Sequence, residues 1–119
     1  MSQNFQAGDF LIFQIESGYG LLRILAIDEI ANGTVWHLAA YNEMFLDVET
    51  ADRAIENLSS LTISYSHLAL TNRAFESTQV ARMSNVTLGV EESNALREWR
   101  NNPNRKVSDT SVRLLLGLR

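Results

Sequence analysis

Residues 10–41 read FLIFQIESGYGLLRILAIDEIANGTVWHLAAY, and this stretch decides the fold of the chain. It holds three runs rich in aromatic and aliphatic side chains, Phe10–Glu16, Leu21–Ile27 and Thr34–Tyr41, and such runs are typical of strands. Arg23 is the single charged residue in the second run, which is otherwise apolar on both faces. We therefore predict three antiparallel strands, with the second one in the interior of the sheet.

The gaps between these runs carry turn signals. Ser17–Gly20 contains two glycines in a short polar segment and predicts a hairpin loop. Asn32-Gly33 is a strong hairpin signal, because a type I′ turn needs positive φ at both central residues. The first 41 residues are therefore predicted to form a three-stranded meander.

Two segments outside the meander have the features of helices. Apolar residues recur at intervals of three and four at Val48, Ala51, Ile55 and Leu58. Asp47 precedes this stripe as an N-cap, since its carboxylate can accept a backbone N–H of the first turn, and Ser59-Ser60 ends it. Val90–Asn101 has acids in its first turn and arginines in its last, which matches the helix dipole. Pro103 stops this second helix.

The remaining segments are assigned from alternation and from turn residues. Further strands are predicted at Leu61–Tyr65, His67–Thr71 and Gln79–Met83, with Asn72–Thr78 as a loop. Ser108 is predicted to cap a last helix over Asp109–Leu116, with Gly117 at its C′ position. A closing strand over Val112–Leu116 competes with that helix for the same residues.

Composition excludes several functional classes. The chain has 119 residues and no cysteine, so it has no disulfide, no thiolate nucleophile and no cysteine zinc site. Its 45% apolar and 20% charged residues are those of one globular domain, which we predict to span residues 1–119. No apolar run approaches the roughly 20 residues of a membrane span, and the N-terminus lacks the pattern of a secretory signal. A soluble cytoplasmic protein without a cofactor is therefore expected.

Charge is distributed unevenly along the chain. The first 60 residues hold nine acidic and two basic side chains, a balance of −7, whereas residues 61–119 carry +3. Five of the acids cluster around the first predicted helix: Glu43, Asp47, Glu49, Asp52 and Glu56. Because complementary charge steers association and disfavours wrong partners, these residues predict an interaction surface for a cationic protein. The alternative is that the two halves of the chain fold back and neutralise one another.

Two histidines support a competing interpretation. His37 lies in the third predicted strand, and Asp28 or Glu29 at the end of the second strand can approach it across the turn. His37 would then be a general base in a small hydrolase-like or ligand-binding domain. His67 lies at a predicted strand entry, and the chain has no H-x-x-x-H pattern, so no metal site is predicted.

The position of His37 within its strand bears on that interpretation. Trp36 and Leu38 are predicted to face the core because of their size, which places His37 on the opposite face, exposed or covered by a helix. A general base must be positioned against a bound substrate. The simpler interpretation is a half-buried strand residue without chemistry, and we assign no catalytic residue.

A third interpretation depends on basic residues near the C-terminus. These residues are Arg97, Arg100, Arg105, Lys106 and Arg113. A stripe of such side chains is what nucleic-acid binding requires, because they replace phosphate counterions. Trp99 is the one aromatic residue among them that could stack on a base, and a pI near 5.1 opposes binding of a polyanion. Nucleic acid is therefore the least favoured partner.

A short motif near the N-terminus resembles a known family. It consists of Gly8-Asp9-Phe10, Ile12, Gly18-Tyr19-Gly20, Arg23 and Ile24-Leu25. The order of these residues resembles the N-terminal hairpin of the immunity protein 26 family, small bacterial domains attached to polymorphic toxin systems. It is also similar to the opening of SH3-like barrels. The resemblance covers about residues 8–25 and implies an open, curved sheet and neutralisation of a toxin.

Together these observations predict one α+β domain. We expect a curved antiparallel sheet or partial SH3-like barrel of about five or six strands, flanked by about two or three helices. Its predicted function is non-catalytic recognition of a protein partner through the acidic residues, with a cationic toxin such as a nuclease as the example. The hydrolase-like or ligand-binding domain and the nucleic-acid binder are the alternatives.

Overall fold

The computed structural model describes residues 4–31 and 33–117. Within these ranges the chain forms one antiparallel sheet of five strands, β1 (Asp9–Ile15), β2 (Gly18–Ile30), β3 (Gly33–Phe45), β4 (Ile63–Thr71) and β5 (Val80–Asn85). The strands lie in the order β4-β3-β2-β1-β5, and the sheet is open and curved. The predicted α+β fold with a curved antiparallel sheet is confirmed.

Helices cover both faces of this sheet. They are α1 (Val48–Glu56), α2 (Asn72–Thr78), α3 (Val90–Asn101) and α4 (Val112–Leu115), and Leu58–Ser60 forms a single 3₁₀ turn. Asp47 caps α1 as predicted, because its Oδ1 accepts the backbone N–H of Thr50 at 2.8 Å. None of the helices within the described ranges has the length and apolar character needed to cross a bilayer.

The predicted meander is present, with β2 between β1 and β3. Its first turn is tight, because β2 begins at Gly18, only three residues after β1 ends at Ile15. Its second turn leads into β3 at Gly33, whose φ is +125°, a backbone conformation open to glycine. Asn32, the other residue of the predicted type I′ turn, lies outside the described residues.

Two predicted boundaries in the middle of the chain are wrong. The predicted segments Leu61–Tyr65 and His67–Thr71 form one strand, β4, which begins only at Ile63 and stays paired with β3 through two shifts of register. The segment Asn72–Thr78 is helix α2 rather than a loop. Thr71 caps this helix, because its hydroxyl accepts the N–H of Ala74 at 3.2 Å, and the helix buries Ala74 and Phe75.

The C-terminal helix is shorter than predicted. It spans only Val112–Leu115, and the competing closing strand over the same residues is wrong. Ser108 does not cap the helix. Its backbone N–H donates to the carbonyl of Ala69 at 2.8 Å and its carbonyl accepts from Thr71 at 2.9 Å, which ties the segment to the edge of β4. Ser111 occupies the N-cap position instead.

The two faces of the sheet bury separate apolar clusters. The face beneath α2 and α4 includes Leu11, Phe13, Leu22, Ile24, Leu38, Leu70, Phe75 and Val112. The opposite face includes Phe10, Ile12, Leu21, Tyr41, Phe45, Ala51 and Ile55, the last two from α1. We call this second face the α1/α3 face, because α3 packs on the same side. No residue of α3 is fully buried, and its apolar side chains Ala95, Leu96 and Trp99 are half-buried.

A β-bulge determines which side chains of β2 lie on the α1/α3 face. The register of β2 against β3 shifts between Ile24 and Ala26, where β2 has one residue more than its partner. Alternation along the strand is therefore shifted by one position beyond the bulge. Arg23 before it and Asp28 after it come to lie on the same face, together with His37 of β3.

Gly18 is expected to be sensitive to substitution. A Cβ at this position would lie 2.4 Å from the carbonyl oxygen of Phe45, closer than real Cβ contacts. We expect Gly18→Ala to lower the free energy of unfolding by about 1–3 kcal/mol and the melting temperature by roughly 4–10 °C. Ser17→Ala, at an exposed position of the same turn, is the control and should melt like the parent. Equal melting temperatures for the two variants would contradict this close approach.

Candidate functional site

The acidic surface consists of the five predicted carboxylates, Glu43, Asp47, Glu49, Asp52 and Glu56. The last three of them lie on the exposed side of α1, and Ala51 and Ile55 bury the opposite side of the helix. Glu49 faces Arg53, but 3.9 Å separate its Oε2 from Arg53 Nη2, and a surface pair of this kind is weak. These carboxylates are therefore accessible to a partner.

The other two acids also stabilise the local structure. The carboxylate of Glu43 accepts the N–H and the hydroxyl of Thr62, at 2.8 and 2.6 Å. Burial acts to raise the pKa of Glu43, but these hydrogen bonds outweigh it and lower the pKa. Hydrogen bonds from the Thr50 hydroxyl and amide lower the pKa of Asp47. Both groups are therefore anionic at neutral pH. Each carboxylate already accepts hydrogen bonds from a threonine of its own chain, so only part of it is open to a partner.

Sequence reasoning missed three exposed apolar residues beside these acids. Met44 is 48% exposed, Leu46 85% and Val48 46%, and all three lie at the junction of β3 and α1. Met44 and Leu46 flank the buried Phe45, so the strand period turns them outward, whereas Val48 is the exposed first residue of α1, although the predicted apolar stripe of that helix included it. This alternation was readable from the sequence. Apolar side chains bordered by charge are typical of protein interfaces.

A second constellation lies on the α1/α3 face, where the structure brings both histidines together with an acid. His37 Nε2 lies 2.9 Å from Asp28 Oδ2, and His37 Nδ1 lies 2.9 Å from His67 Nε2. The three side chains come from β2, β3 and β4, which are neighbours in the sheet. The predicted approach of Asp28 to His37 is present. His67 was not expected to join them.

We call Asp28, His37 and His67 the histidine row, and the hydrogen bonds in this row determine the tautomers of the two imidazoles. Burial would raise the pKa of Asp28, but hydrogen bonds and charges from Arg100 and His37 lower it, so the group is a carboxylate that only accepts. Burial lowers the pKa of His37, and burial with the charges of His37 and Arg100 lowers that of His67 to about 4. Both rings are therefore neutral at pH 7. His37 donates through Nε2, and His67 donates through its Nε2 to His37 Nδ1.

This arrangement leaves one nitrogen of the row unused. His67 Nδ1 carries a lone pair, and no residue in the described ranges donates a hydrogen bond to it. His67 is partly exposed, whereas His37 is fully buried. The end of the row that can meet a ligand is therefore His67 and not His37.

Helix α3 covers the row with two side chains from its last turn. The indole of Trp99 packs against both imidazoles, with ring centroids 4.8 Å from His37 and 5.3 Å from His67. Arg100 Nη2 donates to the two oxygens of Asp28 at 2.7 and 3.0 Å. His37 is thus covered by a helix, one of the two outcomes predicted for the face opposite Trp36.

A buried arginine holds the other end of α3. Arg23 is 1% exposed, its guanidinium stacks on Phe10 at 4.5 Å, and Nη2 donates to the carbonyls of Val86 and Thr87 at 2.7 and 3.0 Å. Its Nε lies 2.9 Å from Glu92 Oε2 of α3, but the angle is not that of a hydrogen bond, so this contact is an ion pair. Charge therefore holds both ends of the helix.

The C-terminal basic residues do not form the continuous stripe that nucleic-acid binding was predicted to need. Arg100 is neutralised by Asp28, and Arg113 donates to the carbonyl of Gln14, at the end of β1. Arg97 bonds to Asn94 within its own helix. Only Arg105 and Lys106 remain next to one another, beside Trp99.

Several grooves border α3. One, of about 570 Å³, lies beside its N-terminal turn, has apolar walls from Leu58, Leu61, Ile63 and Val90, and also contacts Arg23. Another, of about 400 Å³, is lined by Asp28, Trp99 and Arg100. A further one, of about 510 Å³, is lined by His67, Trp99 and the segment that follows α3, and we call it the His67 groove. In the described part of the chain, no group of three or more His, Cys, Asp or Glu side chains could hold a metal ion.

Comparisons with protein-family models, with curated proteins and with solved structures give no match for this chain. The resemblance of residues 8–25 to the immunity protein 26 family and to SH3-like barrels therefore stays a prediction. We therefore infer a function from the chemistry of the acidic surface and of the histidine row.

The histidine row predicts a loss of stability in acid. The unfolded chain protonates His67 near its ordinary pKa of 6.5, whereas the folded chain does so only near 4. Stability therefore falls as the pH drops from about 6.5 towards 4, because the unfolded state binds the proton first. We expect a decrease of about 1–3 kcal/mol, or roughly 4–10 °C in melting temperature, from this row.

His67→Gln provides the comparison for this prediction. A glutamine amide can still donate to His37 Nδ1 but does not titrate, so the variant should lose less stability than the parent between pH 7 and pH 4.5. Melting curves of both proteins across this range measure the difference. Parallel curves would show that the row contributes nothing to the pH dependence.

Proposed function

We propose that the protein recognises a cationic protein partner through the acidic surface and the apolar residues beside it, without catalysis. The observation that supports this most is Leu46, 85% exposed, next to the accessible carboxylates of α1. Met44 and Val48 are exposed near it, so Leu46 belongs to an apolar patch bordered by charge and is not a single exposed side chain. An interface gains from such a patch, because apolar contact at the centre of a charged surface supplies affinity.

The two kinds of side chain would have separate roles in binding. Exposed carboxylates attract a cationic partner and raise the association rate, and this effect weakens as salt screens the charges. Met44, Leu46 and Val48 would be covered in the complex and would slow dissociation. A toxin such as a nuclease is the partner that the N-terminal resemblance implies, since such an enzyme presents a basic surface to nucleic acid.

The contacts of His37 argue against the hydrolase-like alternative as first formulated. A general base must reach a substrate, and His37 is fully buried with both ring nitrogens engaged by Asp28 and His67. The nucleic-acid alternative loses support as well, because Arg100 is paired with Asp28 and Arg113 is bonded to the carbonyl of Gln14. Recognition of a protein is the function that the exposed surface supports best.

The partner can be obtained by capture from the native host with the tagged chain, and its binding rates can then be measured. We expect Glu49→Lys with Glu56→Lys to slow association at least about tenfold at low salt, with a smaller effect on dissociation. The control is Glu76→Lys with Glu98→Lys, which changes the net charge equally at exposed positions of α2 and α3. Salt-independent binding, or equal effects of both double variants, would contradict the proposal.

Leu46→Ala tests the apolar part of the surface. We expect it to raise the dissociation rate about tenfold or more and to leave the association rate nearly unchanged, as is usual for the loss of an apolar anchor. The melting temperature should stay the same, because this side chain is exposed in the free protein. Unchanged dissociation would place Leu46 outside the interface.

A further inference from the structure

The His67 groove has a composition that differs from the rest of this acidic protein. It is lined by His67, Trp99, Asn102, Asn104, Arg105 and Lys106 together with four apolar side chains and Ser108, and no carboxylate lines it. The chain as a whole has a net charge of −4. Two cations and several polar groups line this groove, and no acid does. The groove is therefore suited to bind an anion, although the chain as a whole is acidic.

The two cations of the groove are free to act on a ligand. Among the described residues neither Arg105 nor Lys106 has an acidic partner within salt-bridge distance. Arg105 is held in place by its bond to the carbonyl of Asn102 and by its position over the Trp99 ring, 5.9 Å from the centroid. The backbone of the segment that carries these two cations is also held in place, because Trp99 Nε1 donates to the carbonyl of Lys106 at 3.2 Å.

His67 adds a requirement that a simple anion does not meet. The carboxylate of Asp28 makes His37 donate through Nε2, which in turn makes His67 donate through Nε2 and leaves its Nδ1 as an acceptor. A ligand next to this nitrogen must bring a hydrogen. An oxyanion without a hydroxyl group would instead place its lone pairs against the lone pair of Nδ1.

We propose that the His67 groove binds inorganic phosphate, a small oxyanion that retains a hydroxyl group near neutral pH, with Arg105 and Lys106 taking the charge and His67 Nδ1 accepting a hydrogen bond from that hydroxyl group. The groove has a volume of about 510 Å³ and is open to solvent where Arg105 and Lys106 are exposed, so a small anion can reach it. This site is separate from the acidic surface, and its occupancy does not depend on the proposed protein partner.

Inorganic phosphate and sulfate distinguish the two requirements. Both are tetrahedral dianions of similar size, but near neutral pH phosphate retains a hydroxyl group and sulfate does not. We expect phosphate to bind the full chain at millimolar concentration or below, at least about fivefold more tightly than sulfate at equal ionic strength. The readouts are the indole N–H signal of Trp99 and the His67 Nδ1 signal in ¹⁵N-labelled protein.

Substitutions separate the contribution of His67 from that of Arg105 and Lys106. His67→Phe should remove the preference for phosphate over sulfate, while Arg105→Gln with Lys106→Gln should weaken both anions about tenfold or more. Arg97→Gln with Arg82→Gln removes the same charge at exposed positions outside the groove and should leave both affinities unchanged within about twofold. The exposed Arg105 and Lys106 variant keeps the test decisive if His67→Phe does not fold.

Three results would overturn the proposal. The first is the absence of any change in the Trp99 or His67 signals up to about 50 mM phosphate. The second is equal affinity for phosphate and sulfate in the parent protein. The third is equal weakening of anion binding by the groove variant and by its charge-matched control. This result would show that the anions respond to the overall charge of the protein and not to the groove.

Discussion

The carboxylate of Asp28 accepts hydrogen bonds from the sheet and from a helix at the same time, from His37 of β3 and from Arg100 of α3. Helix α3 has no fully buried residue, and its apolar side chains Ala95, Leu96 and Trp99 are only half-buried. The ion pairs of Asp28 at one end and of Arg23 at the other add to this packing and fix the position of the helix. The tautomers of both histidines and the shape of the grooves beside α3 follow from that attachment.

Much of the fold followed from local pattern. The three-stranded meander, the N-cap at Asp47, and helices α1 and α3 were predicted because each depends on residues near one another in sequence. Helix α2 was missed because its seven residues are too few for a clear apolar period, and because its cap, Thr71, is also the last residue of β4, as predicted. The short last helix was overextended because Ser108 resembles a cap in sequence but is engaged by the edge of β4.

The two candidate sites also differ in how far local sequence pattern predicts them. The carboxylates of α1 were predicted from composition and are exposed, since nothing beyond the helix period was needed to place them. The histidine row was only half predicted, because it depends on the bulge between Ile24 and Ala26, which puts Asp28 on the face of His37. Strict alternation from Arg23 would have put Asp28 on the other face. A change of phase of this kind comes from pairing between strands, and the residue pattern of one strand does not show it.

The position of β5 beside β1 has a consequence for how the chain is made. β1 is synthesised first, yet its outer edge pairs only with residues about 70 positions later. At ordinary rates of translation that edge stays uncovered for roughly 4–14 s while the rest of the domain emerges from the ribosome. During that interval the apolar strand presents unpaired N–H and C=O groups to neighbouring nascent chains. Fragments that end before Val80 would keep this edge permanently and should aggregate, even though they contain the whole meander.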